Sequence, residues 1–373
     1  MRAPAAVACR WSTDPPAEWA ALEAGTQLFG RRRWLDAMAG RLGDEHRWLV
    51  GVRGGEGRAG LFATVLRGPC HPFFDPVRVL FGPSPLLPRP APAGAPAPPA
   101  AAWFPCLLVM LPGYECFPVG AAGDAEVLDA LVAASVELAA AERLAAVAYL
   151  YVARPQPALA SALAGRGFAR FPMGWRSDLW LSGERFDDYL RALGGHRRRE
   201  VLRERRRLRE VGVQVRTAPL AACADEVLRL RELHQRKYGH TFDRAGERRR
   251  LDLLAAAAPE DTTVFMAEAG GRTVALTLHV WDGEAWHAFL DGAEYGHPAA
   301  RLAHFETTYY APIEAAYRLG RRRLSYGYAT EDTKRHRGCR CELVDGWVRT
   351  LDPAQQAVAE LAAEQLRAWE AAG

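Results

Sequence analysis

The stretch from Tyr295 to Gly338, YGHPAARLAHFETTYYAPIEAAYRLGRRRLSYGYATEDTKRHRG, decides the fold, and it predicts one helix, one short strand and a basic loop. One stripe of the helix carries, at intervals of three and four residues, Leu302, Glu306, Tyr309, Ile313 and Ala316. A carboxylate on an otherwise apolar stripe loses hydration, so we expect the pKa of Glu306 to rise. A raised pKa suits a general base near neutral pH. The alternative is a structural pairing of Glu306 with a nearby arginine or tyrosine.

Length and composition favour two domains and exclude several classes of protein. The chain has 373 residues, of which 49% are hydrophobic and 25% charged, with a net charge of +4. This length exceeds what one hydrophobic core usually serves. The seven cysteines are irregularly spaced, so we expect reduced thiols and no metal site. We find no signal peptide and no membrane span, and we expect a cytoplasmic protein.

The first half alternates predicted strands and helices, as α/β proteins do. Strands are predicted at 48–52, 61–66, 77–81, 104–111 and 145–152, and helices at 32–41, 124–143 and 157–164. Between Pro83 and Trp103 the chain is rich in proline, which excludes regular helix and inner strand. An interdomain linker is one interpretation. We favour a surface insertion, because the strand after it needs partners from the strands before it.

The second half repeats this plan. Strands are predicted at 175–181, 213–217, 264–269, 273–281, 284–292, 322–328 and 346–351, and helices at 186–193, 196–212, 225–238, 247–257 and 353–370. Three of these strands form an antiparallel meander with turns at Gly270-Gly271 and Asp282-Gly283. A meander, then the Glu306 helix, then a further strand is the order of an acetyltransferase (GNAT) core.

Specific residues extend this likeness. HFETTYYAPIEAAYRLG (304–320) followed by YGYATEDTKRHRG (326–338) resembles the FemAB-like peptidoglycan biosynthesis/recognition family. FDDYLRALGGHRRREVLRERRRL (186–208) resembles the second mark of that family, and PGYECFPVG (112–120) fits it loosely. The resemblance covers about residues 175–347. Pro312 departs from the family pattern, and we expect it to kink the Glu306 helix near 308–311.

The resemblance implies an α/β fold with mixed sheets, built as two GNAT-like acyltransferase domains in tandem. We expect domains at 1–172, with the Pro/Ala-rich insertion at 83–103, and at 173–373. The implied activity is transfer of an acyl or aminoacyl group to an amine, forming an amide in cell-wall precursor or natural-product biosynthesis. Related enzymes take the aminoacyl group from a charged tRNA, so no bound cofactor is expected.

A basic helix supports an RNA donor. Between His196 and Glu210 there are eight arginines and three glutamates. We predict that tRNA phosphates contact Arg198, Arg199, Arg203, Arg206 and Arg207. The alternative is a solvated helix with Glu200–Arg203 and Glu204–Arg207 pairs.

Two other functions stay open. An acyl-CoA donor is the first, although the stretch before the Glu306 helix has only isolated glycines, and Pro298 removes one backbone donor from a phosphate cradle. A nucleic-acid-binding protein without catalysis is the second.

Candidate site residues follow from these motifs. For catalysis we predict Glu306, with Tyr310 donating to the leaving oxygen and His304 beside them. For substrate binding we predict Tyr238, His240, Asp291, Tyr309, Tyr326, Lys334 and Arg337. The last two match the family lysine and arginine after the glycine-containing strand, and both could bind a phosphate or a carboxylate. Tyr238 and His240 end a helix, from which they could face the acceptor.

Overall fold

The computed structural model describes residues 7–84, 86–87 and 89–372, and the chain divides into two compact units. Unit 1 comprises Met1–Trp175 and Leu343–Gly373, and unit 2 comprises Arg176–Glu342. The last segment of the chain therefore belongs with the first unit, although the predicted second domain extended to residue 373. The physical reason is a strand in this segment that pairs within unit 1.

Unit 1 contains most of its elements in the first half of the chain. The strands are β1 (Val7–Ser12), β2 (His46–Arg53), β3 (Glu56–Leu66), β4 (Cys106–Val109), β5 (Val119–Gly120), β6 (Ala146–Ala153) and the first part of β7 (Ala169–Trp180). The helices are α1 (Trp19–Leu22), α2 (Arg32–Met38), α3 (Pro76–Phe81), α4 (Ala125–Ala141) and α5 (Pro157–Gly165).

The sheet of unit 1 is an antiparallel meander extended by one parallel pair. Strands β1, β2, β3 and β4 pair antiparallel in sequence order, and β4 then pairs parallel with β6 across the α4 crossover. Apolar side chains of the sheet, such as Leu49, Leu61 and Val147, are fully buried with Val127 and Leu131 of α4. This burial is the main stabilisation of unit 1, since apolar area removed from water dominates folding.

The structure corrects one expectation for the first half and limits another. Residues 77–81 were predicted as a strand, but they form helix α3, because Asp75 caps the backbone N–H groups of Val77 and Arg78 and Pro76 occupies the first helical turn. The 83–103 segment was predicted to lie on the surface. Pro85 and Pro88 are outside the described residues. Residues 90–94 and 96–102 are exposed or partly exposed, whereas Leu86, Leu87, Arg89 and Trp103 are buried.

Unit 2 begins within β7. Its helices are α6 (Phe186–Ala192), α7 (Gly195–Glu210), α8 (Ala224–Lys237), α9 (Arg244–Ala257), α10 (Ala300–Phe305), α11 (Ala311–Arg318) and α12 (Glu331–Arg335). Its strands are β8 (Gln214–Ala218), β9 (Thr262–Ala269), β10 (Arg272–Trp281), β11 (Trp286–Ala293) and β12 (Arg323–Ser325). The chain then returns to unit 1 through β13 (Arg340–Thr350) and α13 (Pro353–Ala372).

The sheet of unit 2 repeats the plan of unit 1. Strands β8 to β11 pair antiparallel in sequence order, and β11 then pairs parallel with β12 across the α10–α11 crossover. In unit 1, β13 pairs antiparallel with β6. Each unit therefore has a strand, two helices, a three-strand meander, a crossover helix and a parallel strand, which confirms the predicted mixed α/β class.

The helix that carries Glu306 is interrupted. Between α10 and α11, residues Glu306–Tyr310 form one turn of π-helix, in which all five side chains are buried. Pro312 is in the first turn of α11 and has no N–H to donate to the carbonyl of Thr308. The predicted disturbance is thus present, but it is a π-turn that begins two residues earlier than expected.

The basic end of the stretch from Tyr295 to Gly338 was predicted as a loop, but Lys334 and Arg335 complete the short helix α12. Within the described ranges 7–84, 86–87 and 89–372, no helix has both the length and the apolar composition needed to cross a bilayer.

Candidate active site

In unit 2 the parallel pairing between β11 and β12 is short. The pairing of β11 with β12 comprises Trp286 with Leu324 and His287 with Ser325. Beyond His287, β11 continues to Ala293 with pairing to β10, and a bulge interrupts that pairing between Leu278 and His279. Bulges next to a strand end re-aim side chains and are common at active sites.

Asp291 lies beyond this bulge and is the centre of a cluster of titratable groups. One of its oxygens, Oδ2, is 3.6 Å from His304 Nδ1 of α10 and 3.7 Å from His234 Nδ1 of α8. The His234 nitrogen also lies 2.8 Å from the Tyr295 hydroxyl, which is a hydrogen bond. Three separate elements therefore bring this Asp291 cluster together: β11, α8 and α10.

Burial determines the charge of the cluster. Desolvation lowers the pKa of His304 and of His234 below the ordinary value, although the Asp291 carboxylate partly opposes this. Burial also disfavours an ionised Asp291, but the neighbouring positive groups outweigh that effect and hold its pKa below the ordinary range. At neutral pH the cluster thus contains an ionised carboxylate beside neutral imidazoles, which are able to accept a proton.

Glu306 lies in a different environment. Its carboxylate is bound by the Arg205 guanidinium of α7, whose Nε is 3.1 Å from both oxygens and whose Nη2 is 2.9 Å from Oε1. Arg205 also binds Glu314 Oε2 at 2.9 Å. As predicted, burial raises the pKa of Glu306, and Arg205 opposes the rise. A cleft of about 730 Å³ reaches this ion pair between Phe186, Leu208 and neighbouring side chains.

The predicted tyrosines are internal. Tyr310 is buried and donates its hydroxyl to Glu204 of α7, and Arg337 Nη2 is 3.8 Å from the same Glu204 oxygen. Tyr309 and Tyr326 are also buried, with ring centroids 4.4 Å apart. These contacts hold the π-turn against α7 and β12.

Two basic side chains are buried beside these rings. Arg337 packs its guanidinium over Phe305 at 3.8 Å from the ring centroid. Lys334 donates its ammonium to the Tyr328 carbonyl at 2.7 Å, and burial lowers its pKa to about 8. Both side chains are buried, so neither is an exposed phosphate ligand. Because its pKa is about 8, Lys334 changes its protonation state closer to neutral pH than an ordinary lysine does.

Other predicted residues are exposed. Tyr238 is 57% exposed at the end of α8, and His240 is exposed just after it. The five arginines predicted to bind tRNA all have exposed side chains. The alternative Glu204–Arg207 pair does not form, because Glu204 turns inward to Tyr310 and Arg337.

Sequence reasoning missed three residues of this region: Glu204, Arg205 and His234. A signal existed for Arg205, since Val201, Arg205 and Leu208 recur at intervals of four and three and form the inward face of α7. His234 precedes Tyr238 by one helical turn, so it lies on the same face of α8. No local pattern indicates that Glu204 binds Tyr310, because the two are 106 residues apart.

Solved structures with the same fold are distant in sequence. FemX has a TM-score of 0.61 at 12% identity, with 94% of this chain and 100% of that chain covered. A tandem GNAT protein from the clavulanic acid biosynthesis pathway has a TM-score of 0.50 at 13% identity, covering 93% and 99%. The C-terminal domain of a lysylphosphatidylglycerol synthetase from Agrobacterium fabrum has a TM-score of 0.51 at 14% identity, covering 70% and 82%. These likenesses confirm the tandem GNAT fold.

Sequence comparison gives the family. No curated protein matches the chain. The FemAB-like family, described as peptidoglycan biosynthesis/recognition, matches residues 96–371. Since this match covers well over half of the sequence, the chain belongs to the FemAB-like family.

Proposed function

We propose that this protein is a cytoplasmic aminoacyltransferase that moves an aminoacyl group from a charged tRNA to an amine of a peptidoglycan precursor. Membership of the FemAB-like family and the tandem GNAT fold support the broader statement that it is an acyl or aminoacyl transferase acting in peptidoglycan-related biosynthesis. The choice of donor, acceptor and catalytic residues is our own inference from the site.

The observation that carries the proposal is the His304–Asp291 pair, which lies beyond the short pairing of β11 with β12. His304 Nδ1 lies 3.6 Å from Asp291 Oδ2 and 3.4 Å from Thr308 Oγ1. We therefore assign Nε2 as the nitrogen that faces a substrate. A neutral imidazole beside a carboxylate can take a proton from an attacking amine, and the carboxylate stabilises the imidazolium that forms.

His304 alone can account for both proton transfers of the reaction. The amine attacks the ester carbonyl, a C–N bond forms, and His304 accepts the proton that the amine loses. As the C–O bond of the ester breaks, His304 returns the proton to the leaving ribose oxygen. Much of the rate enhancement would come from holding the donor ester and the amine together beside His304.

Glu306 has a different role in this proposal. Its carboxylate is held by Arg205, and an arginine contact of this kind keeps a carboxylate in place rather than leaving it free to accept a proton. We therefore propose that Glu306 positions helix α7 against the π-turn through its contact with Arg205. The assignment of Glu306 as the base stays a prediction that Glu306→Gln would test.

The surface of α7 favours a tRNA donor over coenzyme A. Five exposed arginines on one helix form a phosphate-binding surface. In contrast, α10 has only six residues and follows Pro298, which offers few backbone N–H groups to a pyrophosphate.

The test is a transfer assay with purified protein, labelled aminoacyl-tRNA and nucleotide-linked peptidoglycan precursors, run beside acetyl-coenzyme A. We expect transfer from the tRNA, a loss of kcat of roughly 10²–10⁴-fold in His304→Ala, and normal rates in His71→Ala, which removes an exposed histidine of unit 1. In a plot of rate against pH, the midpoint of the acid limb should lie below 6.5, the ordinary pKa of histidine, because burial lowers the pKa of His304. Transfer from acetyl-coenzyme A alone would overturn the proposed donor, and full activity of His304→Ala would overturn the base.

A further inference from the structure

Two tyrosines form an exposed aromatic surface beside the Asp291 cluster. Tyr238 is 57% exposed and Tyr295 is 39% exposed, and their ring centroids lie 4.9 Å and 6.2 Å from the ring of His234 between them. Large aromatic faces in contact with water are favourable surfaces on which a flat ligand can stack. We call Tyr238 and Tyr295 the tyrosine platform.

A cation completes the platform. Lys237 Nζ is 3.9 Å from the ring centroid of Tyr295 and 5.2 Å from that of Tyr238. The side chain is exposed, so its ammonium is available to a solvent-borne anion. The ammonium therefore lies over one face of the Tyr295 ring, and a base would stack on the remaining exposed aromatic surface. Aromatic rings with a cation beside them bind nucleobases together with their phosphates.

The platform is separated from the reacting groups by a single side chain. His234 Nδ1 is 2.8 Å from the Tyr295 hydroxyl and 3.7 Å from Asp291 Oδ2, which in turn is 3.6 Å from His304. In an aminoacyl-tRNA, one ribose separates the terminal adenine from the ester. In an acyl-coenzyme A, a whole phosphopantetheine arm separates the adenine from the thioester. The short separation seen here therefore suits the ester of a nucleoside.

We propose that Tyr238 and Tyr295 stack the terminal adenine of the aminoacyl-tRNA donor and that Lys237 binds the phosphate on its 5′ side. This inference rests on the proposed function and adds to it the subsite that orients the donor ester toward His304. The acceptor amine would then approach His304 along the part of β11 that does not pair with β12.

The test compares binding of three probes by the full-length protein: the trinucleotide CCA, coenzyme A and UMP. The variants are Tyr238→Ala and Tyr295→Ala, and the matched controls Tyr238→Phe and Tyr295→Phe keep each ring. Tyr295→Phe also removes the hydroxyl that contacts His234, so it separates stacking from positioning. Binding of intact charged tRNA is measured with the same set.

We expect CCA to bind the wild-type protein, each alanine variant to weaken it by about 5- to 100-fold, and each phenylalanine variant to stay within a few-fold. Lys237→Gln should reduce the dependence of CCA binding on salt. Equal affinity of CCA or charged tRNA for the alanine variants and the wild-type protein would overturn the platform while leaving the proposed donor intact.

Other outcomes bear on the donor itself. If coenzyme A binds in a manner that depends on Tyr238 and CCA does not, the platform is an adenine subsite of a coenzyme A donor and our assignment is wrong. If the wild-type protein binds neither CCA nor charged tRNA, both the platform and the proposed tRNA donor fail. Binding of UMP equal to that of CCA would contradict the assignment of the platform to adenine.

Discussion

At the residue scale, Glu306 and Arg205 distinguish a base from a positioning residue. We expect Glu306→Gln to lower the free energy of unfolding by about 1–3 kcal/mol, because a buried charge-assisted contact is lost while Glu314 still pairs with Arg205. Its transfer rate should stay within a few-fold of the wild-type rate. Glu314→Gln is the matched control, since Glu314 is 44% exposed and should contribute less than about 1 kcal/mol. A stable Glu306→Gln protein without transfer would restore Glu306 as the base.

Lys334 is the second informative residue at this scale, because its folded-state pKa of about 8 lies below its ordinary value of 10.5. Between these values the unfolded chain holds a proton that the folded chain has released, so stability rises with pH. From pH 7.5 to 9.5 the wild-type protein should gain about 2 kcal/mol relative to Lys334→Met in urea unfolding. Lys237→Met removes an exposed lysine and is the control for the loss of a lysine side chain. If the difference in free energy of unfolding between wild type and Lys334→Met did not change with pH, the lowered pKa of Lys334 would be contradicted.

At the scale of elements, helix α7 has two faces with different tasks. Val201, Arg205 and Leu208 turn inward, whereas the five predicted tRNA-binding arginines turn outward. Periodicity explains this division, since residues three and four apart share a face. The sequence predicted the outward face. It did not single out Arg205 as the inward arginine, because other arginines flank it in the sequence.

The outward face of α7 yields a prediction about salt. Arg203→Glu with Arg207→Glu should weaken tRNA binding by about 10- to 100-fold near 0.1 M salt and reduce the slope of log affinity against log salt by roughly 2. Arg143→Glu with Arg249→Glu makes the same change of charge at exposed positions elsewhere and should have little effect. Filter binding over a salt series measures both. Equal losses in the two double variants would mean that net charge, and not α7, governs binding.

At the scale of the whole molecule, unit 1 is closed by the C-terminal segment. Asp345 of β13 accepts hydrogen bonds from Arg154 at 3.0 Å and from Arg170 at 2.9 Å, and its side chain is only 6% exposed. Both arginines also contact Glu370 of α13. This network ties the last strand and the last helix to β6 and β7 of the same unit.

Removing the buried carboxylate should therefore destabilise unit 1. We expect Asp345→Asn to lower the free energy of unfolding by about 2–4 kcal/mol, because two guanidinium groups lose their buried partner. Asp129→Asn is the matched control, since its pair with Arg166 is 46% and 40% exposed and should contribute less than about 1 kcal/mol. Chemical unfolding of the wild type, Asp345→Asn and Asp129→Asn measures both losses of stability. Similar midpoints for the two variants would show that Asp345 stabilises unit 1 no more than Asp129 does.

The sequence by itself determined the kind of protein and most of its elements. Hydrophobic periods of two and of about 3.6 residues are local properties, so they predict strands and helices without tertiary information. The motifs around Glu306 and along α7 were sufficient for the family and the tandem GNAT fold, which are confirmed. The helix at 76–81 was missed because an Asp-Pro cap outweighs the strand propensity of a short apolar run.

Only the tertiary structure decided which side chains meet. Asp291, His304 and His234 come from three elements, and their contacts depend on how β11, α8 and α10 pack rather than on any spacing along the chain. In the same way, Arg205 reaches Glu306 across 101 residues. Burial then sets the protonation states of these groups, because desolvation depends on every neighbour in space. The sequence shows only which residues are neighbours along the chain.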